Sequence, residues 1–129
     1  MTAGYSGKPL HVKLGVRPGC RTLLTAAPAG FALDCDLHRR AGREPYDVQL
    51  VFCADLAALV RRWDAAVALM TVAGAVWIAW PKKSSGVATD LGEDAVRDHA
   101  LAHGLVDVKV CAVDEVWSGL ELVRRLKDR

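Results

Sequence analysis

Lys82, Lys83, Ser84, Ser85 and Gly86 follow directly on an uncharged run, Ala75 to Trp80, that Pro81 closes. Two ammonium groups, two hydroxyls and a glycine in so short a stretch suit an anion. A helix starting a few residues later adds to this, because unpaired N–H groups and the helix dipole both favour negative charge. Asp90 and Glu93 have the D-x-x-E spacing of a capping box, with Thr89 as the alternative cap, so a helix is expected to begin there. A second polar cluster, Asp114 to Gly119, supplies a carboxylate able to orient a hydroxyl, while Trp117 or Trp80 can stack on a ring. The same residues have a plainer account. The lysines then keep an apolar chain soluble, Lys82 pairs with Asp114 as a structural tie, and Trp117 plugs a hairpin. No Ser-His-Asp or Cys-His set is legible, since chain order alone does not bring His38, His99 or His103 to a nucleophile.

The elements that must position these groups are readable from period and punctuation. Ala75–Trp80 carries no charge and is rich in Val, Ile and Trp, the composition of a strand covered on both faces. Asp47–Cys53 is a second buried strand, opened by Pro45 and Tyr46. Between them Asp55 caps a helix whose apolar positions Leu56, Leu59, Val60, Trp63, Val67 and Met70 keep a helical period, and Gly74 ends the connection. Upstream, Pro9 opens a short helix that Gly15 ends, Pro18-Gly19 marks a turn, and Arg21–Ala27 is the first strand. Within residues 31–46, FALDC reads as a helical turn and LHRR as a short strand. Downstream, a helix runs from Asp90 to about Ala102 with Gly104 behind it. Val106, Val108, Val110 and Ala112 then alternate with Asp107 and Lys109 as a half-buried strand, and after the Asp114–Gly119 turn Leu120, Leu122 and Val123 make a return strand.

Strands alternating with helices imply right-handed crossovers and a mostly parallel sheet with helices on both faces. The last two strands are joined by too short a turn for a crossover and must be antiparallel. In an open parallel sheet the ligand site lies beyond the carboxyl ends of the strands. Ala26–Gly30, Cys53–Asp55, Trp80–Gly86 and Asp114–Gly119 are therefore expected on one rim, with Tyr5 to Lys8 folding over it. The ligand-binding set that follows is Lys82, Lys83, Ser84, Ser85, Gly86, Thr89, Asp90, Asp114, Trp117 and Tyr5.

Length and composition bound the rest. The 129 residues make one domain spanning 1–129, large enough for a real core, and 52% hydrophobic with 25% charged residues is the balance of a folded soluble chain. A net charge of +2 is too small to point to nucleic acid, and the basic residues come as scattered pairs, Arg39–Arg40, Arg61–Arg62, Lys82–Lys83 and Arg124–Arg125. The N-terminal MTAGYSGKPL lacks the apolar segment of a secretory signal, and the uncharged run Ala65–Trp80 is shorter than the roughly 20 residues a membrane span needs. Cys20, Cys35, Cys53 and Cys111 form no CxxC pair, so a reduced, cytoplasmic protein is expected, with Cys53 and Cys111 as small hydrophobes. Cys35 and His38 have ligand spacing but no second pair, and no metal site is expected.

Three motifs carry a family resemblance: GYSG-x-PL near the start, PKK-x-SG-x-x-TDL in the middle and VDVKVCAVDE-x-WSG near the end. The combination resembles a family of small uncharacterised bacterial proteins with a Rossmann-like, class I methyltransferase-related fold. The resemblance covers almost the whole chain and implies a trimmed three-layer α/β sandwich ending in an antiparallel hairpin. It also makes S-adenosylmethionine a cofactor to weigh, but the glycine-rich loop that would meet it is missing. Residues 25–30 read Thr-Ala-Ala-Pro-Ala-Gly, and Asp34 and Asp36 come too early to serve as the ribose-binding acid. The expected function is a non-catalytic methyltransferase-like module that binds a small anionic ligand or a partner protein at the rim. The alternatives are a reduced S-adenosylmethionine-dependent methyltransferase and a structural or regulatory interaction subunit.

Overall fold

A twelve-residue strand, β3 (Met70–Pro81), forms the middle of the sheet, and Ala75 to Pro81 are all buried. The computed structural model describes residues 8–129. Around β3 stand α1 (Leu10–Lys13), β1 (Thr22–Thr25), β2 (Tyr46–Phe52), α2 (Leu56–Ala68), α3 (Glu93–Ala102), β4 (Leu105–Ala112) and β5 (Trp117–Arg124), with 3-10 turns at Lys83–Ser85 and Leu126–Asp128. The sheet order is β1-β2-β3-β5-β4. β1 runs parallel to β2, with Thr22 opposite Val48, and β2 parallel to β3, with Leu50 opposite Trp77. β5 is antiparallel to both its neighbours: Ile78 of β3 and Val110 of β4 each face Leu120.

The expectation of a trimmed Rossmann-like, mostly parallel three-layer sandwich is corrected by this arrangement. Two strand pairings are parallel and two antiparallel, so the sheet is mixed. The cause is β5, which returns from a short turn and sits between β3 and β4, making both of its interfaces antiparallel. Among the described residues the second face carries no helix beyond the four-residue α1. On one face Leu59, Trp63 and Ala66 of α2 and Val96 and Ala100 of α3 pack on Val51, Val76, Ile78, Leu120 and Leu122. On the other, Leu24, Val48, Leu50, Phe52, Trp77 and Ala79 are covered by Leu14 and Val16 after the four-residue α1 and by an irregular stretch between β1 and β2.

In that stretch FALDC, read from sequence as a helical turn, forms no helix, and LHRR, read as a short strand, adds to the sheet only through His38. Phe31, Leu33, Cys35 and Leu37 pack on the core while Ala32, Asp34, Asp36 and His38 are exposed, a period of two rather than 3.6. It touches the sheet edge once: His38 makes a single parallel bridge to Leu23, donating to the Thr22 carbonyl at 2.8 Å and accepting from the Leu24 N–H at 2.9 Å. Trp77 lies beneath this cover, fully buried, and its indole N–H donates to the Leu14 carbonyl at 2.9 Å. Burial of each large apolar side chain here contributes about 1.5–3 kcal/mol over leaving it exposed.

The helices follow local chemistry. Asp55 accepts the Ala58 N–H at 2.8 Å and starts α2, which ends before Met70. The apolar period was expected to run on through Met70, but that residue opens β3. The D-x-x-E box does not form: α3 has Gly92 at its N-cap with no side-chain bond. Glu93 and Asp94 instead sit in the first turn, where they complement the dipole and pair with Arg97. Arg97 also donates to Asp107 of β4 at 3.0 Å, tying helix to edge strand. No helix among the described residues is long and apolar enough to cross a membrane.

Gly74 lies within β3 rather than ahead of it. Pairing with β2 jumps from Tyr46–Met70 to Val48–Ala75, so residues 71–74 bulge out of register. A Cβ at Gly74 would lie 2.6 Å from Thr71 Oγ1 and 3.0 and 3.1 Å from the carbonyl oxygens of Tyr46 and Asp47. Gly74→Ala is therefore expected to lower stability by about 1–3 kcal/mol through overpacking against backbone. An unchanged urea midpoint would refute that. Cys53, just past β2, is fully buried, and burial pushes its thiol up to about 11. Cys111 is only half-buried, and burial raises its thiol as well. Because the unfolded chain ionises Cys53 first, the stability it contributes is present below the ordinary thiol value near 9.0 and is lost as pH rises toward about 11. Slow labelling of Cys53 at neutral pH and falling stability over that alkaline window, smaller in Cys53→Ala, are the expected results.

Candidate functional site

The loop after β3 engages most of its polar groups with itself. The Lys82 N–H donates to the Val116 carbonyl at 2.7 Å, holding the loop to the hairpin turn through backbone alone. Ser85 Oγ donates to the Lys82 carbonyl at 2.6 Å and accepts the Val87 N–H at 3.2 Å, and Gly86 ends the 3-10 turn at φ +76°. Thr89 Oγ1 donates to the Ala54 carbonyl at 2.7 Å and accepts the Leu91 N–H at 3.0 Å. Asp90 caps the helix before it rather than the one after it, accepting the Leu56 N–H of α2 at 2.8 Å. Asp114 Oδ1 accepts the N–H groups of Val116 and Trp117, each at 2.8 Å, and Trp117 lies edge-on to Phe52 with ring centres 5.1 Å apart. Lys83 and Ser84 are exposed, and neither Lys82 nor Lys83 forms an ion pair among the described residues.

An open cavity of about 500 Å³ lies beside the hairpin turn, walled by Leu10, Pro28, Phe31, Val113, Asp114 and Trp117 among others. Of the residues singled out from sequence it takes Asp114 and Trp117. Lys82, Lys83, Ser84, Ser85, Gly86, Thr89 and Asp90 do not line it, and Tyr5 lies outside the described residues. Its lining holds no Lys, Arg or His, and its one carboxylate accepts from its own turn.

A different groove carries the cationic chemistry. β1 is a sheet edge and α2 packs over β2 and β3, which leaves a trough between β1 and α2 of about 280 Å³. Leu23 and Val51 form its sheet wall and Ala65 and Leu69 its helix wall, with Arg39, Arg61 and Arg62 around it and no acidic residue in the lining. Two of the guanidiniums are held in place. Arg39 donates an Nη2 hydrogen bond to the Phe31 carbonyl at 2.8 Å, and Arg62 one from Nη1 to the Phe52 carbonyl at 2.7 Å, with the Cys53 thiol also beside the Arg62 guanidinium. Ala26, also in the lining, has φ +58°, a left-handed conformation that non-glycine residues seldom hold.

Gln49, 1% exposed, lies in the same lining. Its Nε2 donates to the Ala66 carbonyl at 2.9 Å, and since a carbonyl only accepts, the amide orientation is fixed. Its Oε1 is buried with no partner. Sequence reasoning missed this groove because the pairs Arg39–Arg40 and Arg61–Arg62 lie far apart along the chain. The signal that was present is Gln49 itself, a lone amide in the buried run Val48 to Phe52.

The histidines form no catalytic set. His99 stacks on His103 with ring centres 4.0 Å apart, and both meet the edge of Trp63 between α2 and α3. Burial, then the neighbouring His103, push the His99 imidazole below its ordinary value, as suits a packing residue. No group of three His, Cys, Asp or Glu side chains among the described residues is arranged to hold a metal.

The chain matches no protein-family model and no curated protein.

Lys82→Ala with Lys83→Ala should change stability by under about 1 kcal/mol, since neither ammonium is ion-paired. Asp114→Ala should cost about 1–2 kcal/mol, because it strips two turn amides of their acceptor. Chemical denaturation checks both, and equal losses would contradict the division drawn between them.

Proposed function

We propose that the protein is a binding domain that takes a small anionic organic molecule in the groove between β1 and α2, and that it does no chemistry on it. The observation that carries the reading is the convergence of Arg39, Arg61 and Arg62 on an apolar trough with no carboxylate beside them. Guanidinium forks recognise carboxylate and phosphate through paired N–H bonds, and two of these three are already oriented by backbone carbonyls. Pre-set donors lose little freedom when a ligand arrives. The apolar walls supply the complementary half, a place for the body of the molecule out of water. The lining holds one hydroxyl, Thr25, and no His, Asp, Glu, Cys or Lys to activate it, which supports binding over catalysis. The ammonium groups of Lys82 and Lys83, neither of them ion-paired among the described residues, offer a second place for an anion. It is the weaker one, since Ser85, Thr89 and Asp90 around it are engaged in bonds within the fold. Four free cysteines suit a reducing cytoplasm as the place where the ligand is met.

Melting temperatures measured against nucleotides, sugar phosphates, aryl carboxylates and S-adenosylhomocysteine should rise with at least one anion, by mass action on the folded state. Arg61→Ala with Arg62→Ala should then weaken that ligand about tenfold or more, since each charge-assisted bond is worth about 1.5–3 kcal/mol. Affinity that survives this change but disappears in Lys82→Ala with Lys83→Ala would move the site to the rim and overturn the proposal. A flat response to every ligand would overturn it outright.

A further inference from the structure

Gln49 marks what kind of anion the groove accepts. An acceptor buried without a donor is rare in folded proteins, and each instance calls for a cause. Here the protein supplies none. The amide cannot turn over without breaking its bond to the Ala66 carbonyl, and none of the three arginines in the same lining donates to Oε1. Leu23 and Val51 on one side and Ala65 and Leu69 on the other have no donor to give. The Thr25 hydroxyl, which also lines the groove, does not donate to it either, so the donor is one that the ligand brings. Two facing apolar walls, one from a strand and one from a helix, suit a flat ring, and an N–H in the plane of that ring is a donor that reaches the groove floor without adding polar surface against the walls.

We infer that Gln49 is the specificity-determining residue of the β1–α2 groove, and that it selects planar heterocycles bearing a ring N–H and joined to a carboxylate or phosphate. This rests on the ligand-binding reading above. The anionic group lies on Arg39, Arg61 and Arg62, and the ring enters between the walls with its N–H toward Gln49 Oε1. Because Oε1 is buried, the bond forms as side chains of the groove rearrange around the entering ring, a change of rotamer common on binding. A site built around such a bond rejects an analogue that lacks the donor far more strongly than a purely apolar slot rejects a change of size. Uridylates and indole carboxylates share this chemistry.

The test uses matched pairs and the full chain. Affinities are measured by titration calorimetry for indole-3-acetate against benzofuran-3-acetate, where oxygen replaces the N–H at nearly constant shape, and for uridine 5′-monophosphate against its 3-methyl derivative. The N–H member of at least one pair should bind about tenfold or more tightly than its partner, and which pair responds separates the nucleotide from the aryl acid. In Gln49→Met, of similar size, that ratio should fall to about one through loss of affinity for the N–H member. Arg61→Ala with Arg62→Ala should instead weaken both members alike and leave the ratio intact. The wild-type ratio alone decides the matter if Gln49→Met does not fold. Equal, arginine-dependent binding of both members overturns the inference and leaves the groove standing as an anion site. Arginine-dependent binding of other anions, with neither pair bound, overturns the heterocycle. Failure of every anion overturns both readings together.

Discussion

β3 must be sealed on both faces and paired along both edges, and most of the molecule is an answer to that demand. Its residues Val76, Ile78 and Trp80 face the helices, while Ala75, Trp77 and Ala79 face the other way. Trp77 is the hardest to satisfy, since it brings a large apolar body and one N–H that cannot go without a partner. The chain meets it by returning its N-terminal part across the sheet, so that the Leu14 carbonyl takes the N–H and Val16, Phe31 and their neighbours help close the face. A helix would cover the same area with more internal hydrogen bonding. The extended cover lays down alternate side chains, Phe31, Leu33, Cys35 and Leu37, using few residues.

Edge pairing explains the mixed sheet. β2 fills one side of β3 in parallel, after the α2 crossover. The other side is taken by the last strand rather than the next one, with β4 displaced to the border. β5 is well suited to that inner place, because Leu120 and Leu122 are buried on the helical face and Gly119 sits against Trp77, where a Cβ would lie 3.4 Å from its ring. β4, with Val108, Lys109 and Val110 exposed and a register shift in its pairing, is fitted to a border. The same layout creates the groove. α2 centres itself over β2 and β3, where burial is greatest, and β1 at the far border is left with its helical side open.

Polar residues divide by what the fold asks of them. Asp114, Thr89, Ser85 and Asp90 look like ligand groups in a linear reading because turn-forming and ligand-binding residues are the same types. Each is engaged by a backbone group within its own loop or across to α2. Gln49 is the reverse case: it stands in a strand, where a linear reading takes it for part of the core, and it alone has a buried acceptor that the groove leaves unmatched.

The sequence by itself determined the helices and the buried strands, because those depend on local period and punctuation. Asp55 and the helical period of Leu59, Trp63 and Val67 specify α2, although Leu56 and Val60 of the same expected stripe are exposed. The unbroken apolar run Ala75–Trp80 specifies the heart of β3. The alternation in residues 31–38 was equally present, but over so few residues it was read as a helical turn followed by a short strand. The alternation of strand and helix implied β2 parallel beside β3. Tertiary structure alone decided that β5 takes the other edge of β3, since side-chain period says which face a residue takes and nothing about which neighbour it meets. It also decided that Arg39 and Arg62, each anchored on a phenylalanine carbonyl, share one groove. Charge carries no directional code along a chain, so the convergence of cations from separate elements exists only once β1 and α2 have been brought side by side.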